Sequence, residues 1–294
     1  MNSIPNSAGF NLTGGKIGVL VLHGFTGSPV SIAPWAKYLN TLGYTVSAPC
    51  LPGHGSSWQQ MNKTTWQDWY KAAEQELLEL QKKCDRVFIA GFSMGGALAL
   101  RLCQIRSSEV EGLLLLNPSI HDRRLFLKLT PLLKYFISSV KKGPTDIAAP
   151  NPIKHAYHRT PLKALDSLRK LWQIVERDLY LIDLPIMVAY SINDHAVDPE
   201  NSMTVIDNIF SVDIREVIFE NSYHNVALDY DCEQLNTESK LFIQEVLSGV
   251  LKRGGDFNET DLVDAEFDSI VSGLSLDESS PTTYLDELDG IYEA

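Results

Sequence analysis

The stretch Gly91-Phe92-Ser93-Met94-Gly95 decides how this chain folds. An apolar run over residues 87–90 leads into it, and small, helix-forming residues over 96–100 follow it. This order predicts a strand, a sharp turn and a helix, with Ser93 at the apex of the turn. Such a turn holds its serine in a strained conformation, so that the hydroxyl stands clear of the backbone. The first and last glycines of the stretch fit this geometry, because side chains at these positions would collide with neighbouring backbone.

The alternation of strand and helix extends along most of the chain. Apolar runs predict further strands at about 16–22, 44–49, 112–117, 184–190 and 215–219. Amphipathic or helix-forming stretches predict helices at about 30–42, 65–83, 199–210 and 232–250. Near-continuous apolar strands are typical of a parallel sheet that is buried on both faces. The sequence therefore predicts the α/β class, with a mainly parallel central sheet flanked by helices.

Three segments depart from this alternation. Residues 1–15 are expected to form an N-terminal arm before an α/β domain over residues 16–253. Within that domain, residues 118–180 carry six prolines between helical stretches, which predicts a cap inserted over the sheet. Residues 254–294 contain twelve acidic residues and no lysine or arginine, which predicts a disordered acidic tail.

The negative charge of the chain resides in this tail. The formal net charge is −12, but residues 1–253 hold 25 acidic and 25 basic residues and are formally neutral. No basic patch indicates nucleic-acid binding. Apolar residues at 263–274 and 284–288 make the tail a candidate for binding an unknown partner, with a simple solvated tail as the alternative.

Cysteine usage and hydropathy indicate the compartment. The four cysteines, at positions 50, 84, 103 and 232, form no C-x-x-C pair and no metal-ligand spacing. The N-terminus lacks the basic and apolar regions of a signal peptide, and no apolar run is long enough to span a bilayer. We therefore expect a cytoplasmic protein with free thiols and without a metal or cofactor.

A serine hydroxyl is a weak nucleophile unless a base removes its proton, so the chain must supply a histidine. His224 follows the last predicted strand, where a loop reaches the carboxyl edge of the sheet beside Ser93. This placement gives the chain order nucleophile, acid, histidine that is found with such turns. His23 and His54 precede the serine in turns and are expected to have structural hydrogen bonds.

The acid that orients this histidine is expected in the loop after the strand at 184–190. Asp194 lies just past the end of that strand and is the preferred candidate. Asp198 is placed to cap the next helix. Two other aspartates, Asp229 and Asp231, are close to the histidine in sequence but belong to another loop.

An oxyanion that forms at the serine needs two N–H donors. One is expected from the backbone of Met94, the residue after the serine. The other is expected from the backbone of Phe25, in the loop His23-Gly24-Phe25. Together these residues predict two-step acyl transfer through an acyl-enzyme on Ser93.

Five segments carry a resemblance to one family: His23-Gly24-Phe25-Thr26-Gly27-Ser28-Pro29, Gly53-His54-Gly55, Gly91-Phe92-Ser93-Met94-Gly95-Gly96-Ala97, Asn193-Asp194-His195-Ala196-Val197 and Asn221-Ser222-Tyr223-His224. Over about residues 15–250 the chain resembles the bacterial carboxylesterases and monoacylglycerol lipases of the α/β-hydrolase superfamily. The resemblance implies the α/β-hydrolase fold, with a cap over an acyl tunnel.

The resemblance also implies the roles of single residues. Matched motif by motif, it supports Ser93 as nucleophile, Asp194 as acid and His224 as base, with Phe25 and Met94 as oxyanion donors. It implies a small-molecule substrate, either a short- to medium-chain acyl ester or a monoacylglycerol.

The fold and the catalytic triad do not determine which leaving group the substrate carries. A serine nucleophile excludes the dehalogenase and epoxide-hydrolase branches, which need a carboxylate at that position. A thioesterase or another acyl hydrolase remains an alternative. A non-catalytic binding protein of the same fold is an alternative from a different class.

The predicted cap differs from the small lid of that family. It is longer, and it is rich in basic residues, among them Arg123, Arg124, Lys128, Lys134, Lys141 and Lys142. No acidic residue in it matches the one that family lipases use for the glycerol head group. Its apolar residues are expected to roof the acyl pocket: Leu125, Phe126, Leu127, Leu129, Leu132, Leu133, Tyr135, Phe136 and Ile137. Contact of this patch with an anionic membrane surface is a second expectation, with ordinary packing on the core as the alternative.

Overall fold

The computed structural model describes residues 7–143, 145–150 and 156–254. Within these ranges it contains nine β-strands: β1 (Phe10–Leu12), β2 (Ile17–Leu22), β3 (Thr45–Ala48), β4 (Arg86–Phe92), β5 (Gly112–Leu116), β6 (Ser139–Lys141), β7 (Arg159–Pro161), β8 (Ile186–Ser191) and β9 (Ile214–Phe219). The same ranges contain eight α-helices: α1 (Ala33–Thr41), α2 (Trp58–Met61), α3 (Trp66–Gln81), α4 (Met94–Arg106), α5 (Leu125–Leu133), α6 (Leu162–Arg177), α7 (Glu200–Asn208) and α8 (Cys232–Ser248).

Seven of these strands form one sheet in the order β1-β3-β2-β4-β5-β8-β9. Every neighbouring pair from β3 to β9 is parallel, and β1 runs antiparallel to β3. The structure thus confirms the predicted α/β class with a mainly parallel central sheet. The strand β4, which leads to Ser93, occupies the middle of the sheet. The carboxyl ends of the parallel strands meet at one edge, where sheets of this kind place their functional sites.

Alternate side chains of the central strands pack against different helices. In β2, Leu20 and Leu22 join a core with α3, α4 and α6, whereas Val19 and Val21 join a second core with α1 and α8. Because a strand turns successive side chains to opposite faces, helices cover both faces of the sheet. This double burial explains why these strands appear in the sequence as continuous apolar runs.

The segment assigned to the N-terminal arm contains a strand that the sequence did not predict. In β1, Phe10 pairs with Ala48 and Leu12 with Val46. Phe10 and Leu12 pack on the second core, while Asn11 between them is exposed. Three residues are too few for an alternating pattern to stand out, so the pairing with β3, and not the local sequence, determines this strand.

The turn between β4 and α4 brings three backbone segments into close contact. A Cβ atom on Gly91 would lie 2.4 Å from the Gly95 carbonyl oxygen. A Cβ atom on Gly95 would lie 2.2 Å from the Leu22 carbonyl oxygen. Both positions therefore require glycine, and the start of α4 is seated directly against the end of β2.

The predicted cap region contains α5, the antiparallel pair β6–β7, and α6. Of these elements, α6 packs against α3 and α4 and contributes to the first core. The part before α6 is attached through Tyr157, whose hydroxyl donates to the Gly53 carbonyl at 2.9 Å and accepts from the Ser56 N–H at 2.8 Å. The insertion thus has one helix in the layer on the sheet and a preceding part that is held by contacts to loops and, through α5, by contacts to α6.

Two further expectations concern the membrane and the tail. None of the helices in the described ranges is long and apolar enough to cross a membrane. The predictions made for the acidic tail fall, apart from Gly254, on residues 255–294, which lie outside the described residues.

Replacing Gly95 by alanine should destabilise the fold. The added Cβ would overlap the backbone at the end of β2, and overpacking of this kind costs about 1–3 kcal/mol of unfolding free energy. Urea denaturation of Gly95→Ala measures this loss. Gly143→Ala is the matched control, because no atom of a non-adjacent described residue lies within 4 Å of a Cβ atom at that position. Equal losses in the two variants would contradict the close approach at the turn.

Candidate active site

Ser93 lies between β4 and α4 in a strained backbone conformation. Its φ and ψ angles are 56° and −119°, and a non-glycine residue in such a region costs of order 1–3 kcal/mol. The Ser93 N–H donates to the Leu116 carbonyl at 3.0 Å, and the Ser93 carbonyl accepts from the N–H groups of Gly96 and Ser119 at 2.9 and 3.1 Å. These bonds offset the strain, and the predicted order of strand, turn and helix is confirmed.

His224 and Asp194 form a close pair from two different loops. The first follows β9 and the second follows β8. His224 Nδ1 lies 2.6 Å from Asp194 Oδ2, and Asp194 Oδ1 accepts from the N–H groups of Ala196 and Val197 at 2.8 Å each. The Asp194 side chain is 1% exposed and that of His224 is 16% exposed. Because the carboxylate accepts, the proton lies on Nδ1, which leaves Nε2 as an acceptor.

Two residues that the sequence analysis missed hold the His224 loop. Asn117, just after β5, donates from Nδ2 to the His224 carbonyl at 2.6 Å and accepts at Oδ1 from the Ser191 N–H at 2.8 Å. Asp146 of the cap accepts at Oδ2 from the His224 N–H at 3.3 Å, and its Oδ1 lies 3.0 Å from His195 Nδ1. An asparagine directly after an apolar strand is a weak sequence signal for the first residue, and nothing local marks the second.

The other aspartates considered as the acid make contacts to the backbone. Asp198 Oδ1 accepts from the N–H of Glu200, the first residue of α7, at 3.0 Å, although Pro199 and not Asp198 is the N-cap residue of this helix. Asp229 and Asp231 accept from backbone N–H groups of their own and neighbouring loops. All three side chains thus support loops, while Asp194 contacts the imidazole of His224.

The loop after β2 lies directly beside Ser93. A Cβ atom on Gly24 would be 3.1 Å from Ser93 Cβ, so the loop backbone is in contact with the serine. Phe25 follows in this loop, and Thr26 has a φ angle of 60°. Met94 is the first residue of α4, where N–H groups have no acceptor within the helix. The structure therefore places the segments of both predicted donors next to Ser93.

His23 and His54 are buried and neutral, and they connect this loop to the loop after β3. His23 donates from Nδ1 to the Gly24 carbonyl at 3.0 Å and accepts at Nε2 from the Leu51 N–H at 3.1 Å. Burial lowers the pKa of His23 to about 4. Burial and the nearby His23 lower the pKa of His54 well below its usual value. The predicted structural role of these two histidines is confirmed.

Ser93 and His224 line one cavity of about 470 Å³. Its apolar wall includes three residues of α6, at helical spacing, and one of α5: Leu165, Leu168, Trp172 and Leu127. Its polar wall includes the loop between β6 and β7 together with residues of the sheet edge: Lys142, Asp146, Thr26 and His195. A substrate in this cavity would meet hydrocarbon on one side and charged or polar groups on the other.

The apolar residues that were expected to roof the pocket divide into two sets. Among their described side chains Leu127 lines the cavity and Leu133 is half-buried against the first core, whereas Leu129, Leu132, Tyr135, Phe136 and Ile137 are exposed. Residues three or four positions apart share a face of a helix. The face of α5 with Leu127, the buried Thr130 and Leu133 turns inward, which leaves Leu129 and Leu132 at the surface.

A mainly parallel sheet, a strained serine between strand and helix, and a buried Asp–His pair on later loops define the α/β-hydrolase class. The sequence model of the family described as Hydrolase_4, serine aminopeptidase S33, matches residues 16–231. The match covers most of the chain, which therefore belongs to this family.

Two curated relatives and one solved structure agree with this assignment. The chain is 33% identical over 224 residues to a thermostable monoacylglycerol lipase of Bacillus sp. (strain H-257), covering 76% of this chain and 88% of the relative. It is 25% identical over 241 residues to a carboxylesterase of Bacillus subtilis (strain 168), covering 81% and 96%. A structure from work on two metagenome-derived lipolytic enzymes matches with a TM-score of 0.80 at 31% identity, covering 83% of this chain and 100% of the other. The predicted resemblance and fold family are confirmed.

Acidification should weaken the fold through His23. Its pKa of about 4 in the fold is below the usual 6.5, so between these values the unfolded chain binds a proton that the folded chain does not. The contribution of His23 to the free energy of unfolding is thus present above pH 6.5 and is lost as the pH falls. The loss from this residue is about 2 kcal/mol between pH 7 and pH 5. Urea denaturation at both pH values measures the change.

The exposed His158 provides the control for this pH effect. His158→Gln should keep the full loss of unfolding free energy, whereas His23→Asn should show a smaller one. A wild-type free energy of unfolding that stays constant from pH 7 to pH 5 would contradict the neutral, buried state of His23.

Proposed function

We propose that this chain hydrolyses carboxylic esters through an acyl-enzyme intermediate on Ser93. The observation that carries this proposal is the 2.6 Å contact between His224 and Asp194, on the same cavity as the strained serine. The relatives named monoacylglycerol lipase and carboxylesterase support an ester as the substrate. They favour ester cleavage over the peptide cleavage that the description of the family model names.

In the proposed first step, His224 Nε2 takes the proton of Ser93 as its Oγ attacks the ester carbonyl. The backbone N–H groups of Phe25 and Met94 stabilise the oxyanion, which is worth about 3–4 kcal/mol per donor in comparable enzymes. Asp194 holds the imidazole in the required tautomer and stabilises the imidazolium that forms. Collapse of the intermediate expels the alcohol, to which His224 returns the proton.

In the second step, water attacks the acyl-enzyme. His224 now takes a proton from this water, and the same N–H groups hold the second oxyanion. Collapse of this intermediate releases the acid, and His224 returns the proton to Ser93 Oγ. Each step uses side chains and backbone of this chain, so we propose that it requires neither a metal nor a cofactor.

The cavity fits the acyl parts of short- to medium-chain esters and monoacylglycerols. The wall formed by Leu165, Leu168 and Trp172 would contact the acyl chain, and its burial contributes about 0.8 kcal/mol per methylene group. The predicted cap over residues 118–180 would then supply this wall. A series of p-nitrophenyl esters of increasing acyl length, measured beside monoacylglycerols, gives the preferred substrate.

Ser93→Ala should lower kcat for p-nitrophenyl butyrate by at least about 10⁴-fold, because the nucleophile is lost. His224→Ala should cause a similar loss, and neither variant should alter the fold. Asp198→Asn is the control and should retain turnover within about twofold, since Asp198 supports α7 only. Wild-type turnover in Ser93→Ala would contradict the assignment, and so would failure of a fluorophosphonate probe to label the wild-type chain at Ser93.

We also propose that the chain acts in the cytoplasm and touches the anionic inner surface of the membrane through its cap. All four cysteines are unpaired, which fits a reducing compartment. Tyr135 and Phe136 are 73% and 80% exposed, and such clusters of apolar side chains mark interaction sites. Nearby Arg124 is bonded to Asp122, so apolar contact contributes more than charge.

Flotation with anionic vesicles tests this contact. Phe136→Ser should reduce the bound fraction several-fold, because it removes an aromatic ring of the cap that is 80% exposed. Phe210→Ser is the matched control, since Phe210 is 69% exposed beyond the end of α7. Equal binding of the two variants, or no binding of the wild type, would show that this patch does not contact the membrane.

A further inference from the structure

Lys142 places a positive charge at the cavity without a carboxylate to balance it among the described residues. Its Nζ donates to Thr26 Oγ1 at 2.9 Å, and both residues line the cavity with Ser93. An ammonium group has three N–H donors. The described residues provide an acceptor for one of them, so two remain for a molecule in the cavity.

The other charged groups on the cavity are already engaged. Arg124 forms its ion pair with Asp122. Asp146 accepts from the backbone N–H groups of His195 and His224 and lies beside the imidazole of His195. These carboxylates thus have donors of their own. Lys142 therefore has no ion-pair partner among the described residues, and its exposed neighbour Lys141 adds a second positive charge to this wall.

Burial of this ammonium group has a cost that a bound anion would offset. Loss of hydration lowers the pKa of Lys142 to about 8, so the side chain remains mostly protonated at neutral pH. A desolvated charge is stabilised strongly by an opposite charge at hydrogen-bond distance. The position thus favours an anionic group on the substrate over a neutral hydroxyl.

The contacts of the Lys142 loop indicate which end of the substrate carries this anion. Lys142, at the start of this loop, contacts Thr26 of the loop beside the serine, and Asp146 in the same loop accepts from the His224 N–H. In the proposed reaction His224 protonates the leaving alcohol, so the alcohol lies on this side. The acyl chain takes the apolar wall of α6.

We infer that Lys142 selects esters whose alcohol part carries an anionic group, a phosphate or a carboxylate. The anion would accept hydrogen bonds from the Lys142 ammonium while the ester carbonyl lies at Ser93. This inference rests on the proposed ester hydrolysis and gives it a substrate class. The competing explanation is that Lys142 only joins the cap to Thr26.

Two matched pairs of octanoyl esters separate these explanations. The first pair is 1-octanoylglycerol and 1-octanoylglycerol 3-phosphate, and the second is methyl octanoyloxyacetate and the free octanoyloxyacetate. We expect the wild type to have at least about tenfold higher kcat/KM for the charged member of one or both pairs, the value of one charge-assisted hydrogen bond. The pair that shows the preference identifies the anion as phosphate or carboxylate.

Variants of Lys142 test whether this residue causes the preference. Lys142→Met should lower kcat/KM at least about tenfold more for the charged ester than for its neutral partner. Lys142→Gln keeps a polar contact to Thr26 and should show the same selective loss, whereas Lys142→Arg should retain the preference. Lys163→Met removes an exposed charge at the start of α6 and should leave both members of each pair unchanged.

The possible failures are distinguishable. Equal losses for charged and neutral esters in Lys142→Met and Lys142→Gln would show a purely structural role and overturn the inference. Hydrolysis of the neutral esters by the wild type, without preference for the charged ones, would overturn it while leaving the proposed function intact. Hydrolysis of none of the four esters by the wild type would overturn the inference together with the proposed function.

Discussion

The close approach of backbone around Gly91 and Gly95 is the constraint on which the rest of the structure depends. It presses the start of α4 against the end of β2. A Cβ atom added to Gly95 would lie only 2.2 Å from the Leu22 carbonyl oxygen. This contact leaves room for a tight turn only, and Ser93 takes a φ angle of 56° within it. The neighbouring strands then supply the remaining parts of the site: the loop of Phe25 after β2, and Asn117 after β5. Thr26 and Asn117 also have positive φ angles, so the backbone strain of the described chain is concentrated at this edge.

Much of this arrangement is predictable because its determinants are local. The strand β4, the turn and α4 follow from small residues at fixed spacing, and the central strands follow from continuous apolar runs. The sheet topology brings together residues that are distant in the sequence. Parallel strands end at one edge, so the loops that carry Asp194 and His224 meet although 30 residues separate them. The prediction of these positions needed the chain order only, while their catalytic roles remain proposals.

The features that the sequence did not reveal depend on contacts between distant segments. β1 is a strand only because β3 is beside it. Asp146 is an ordinary loop aspartate until the fold brings it to His224, and Lys142 is one of twelve lysines and arginines in the predicted cap, with nothing local to distinguish it. The expectation that the apolar residues around α5 roof the pocket was only partly right, because composition does not tell which face of a short helix turns inward. Burial and orientation, and not residue type, separate these cases.

The hydrogen bonds of Asp146 restrict how the cavity could open. Its carboxylate fastens the loop between β6 and β7 to the backbone of His224 and to His195. Lifting this loop from the sheet would break these bonds and release the segment that carries the proposed base. A movement that lifted this loop would therefore also displace the backbone that positions His224. Substrate entry without that displacement must occur elsewhere along the rim.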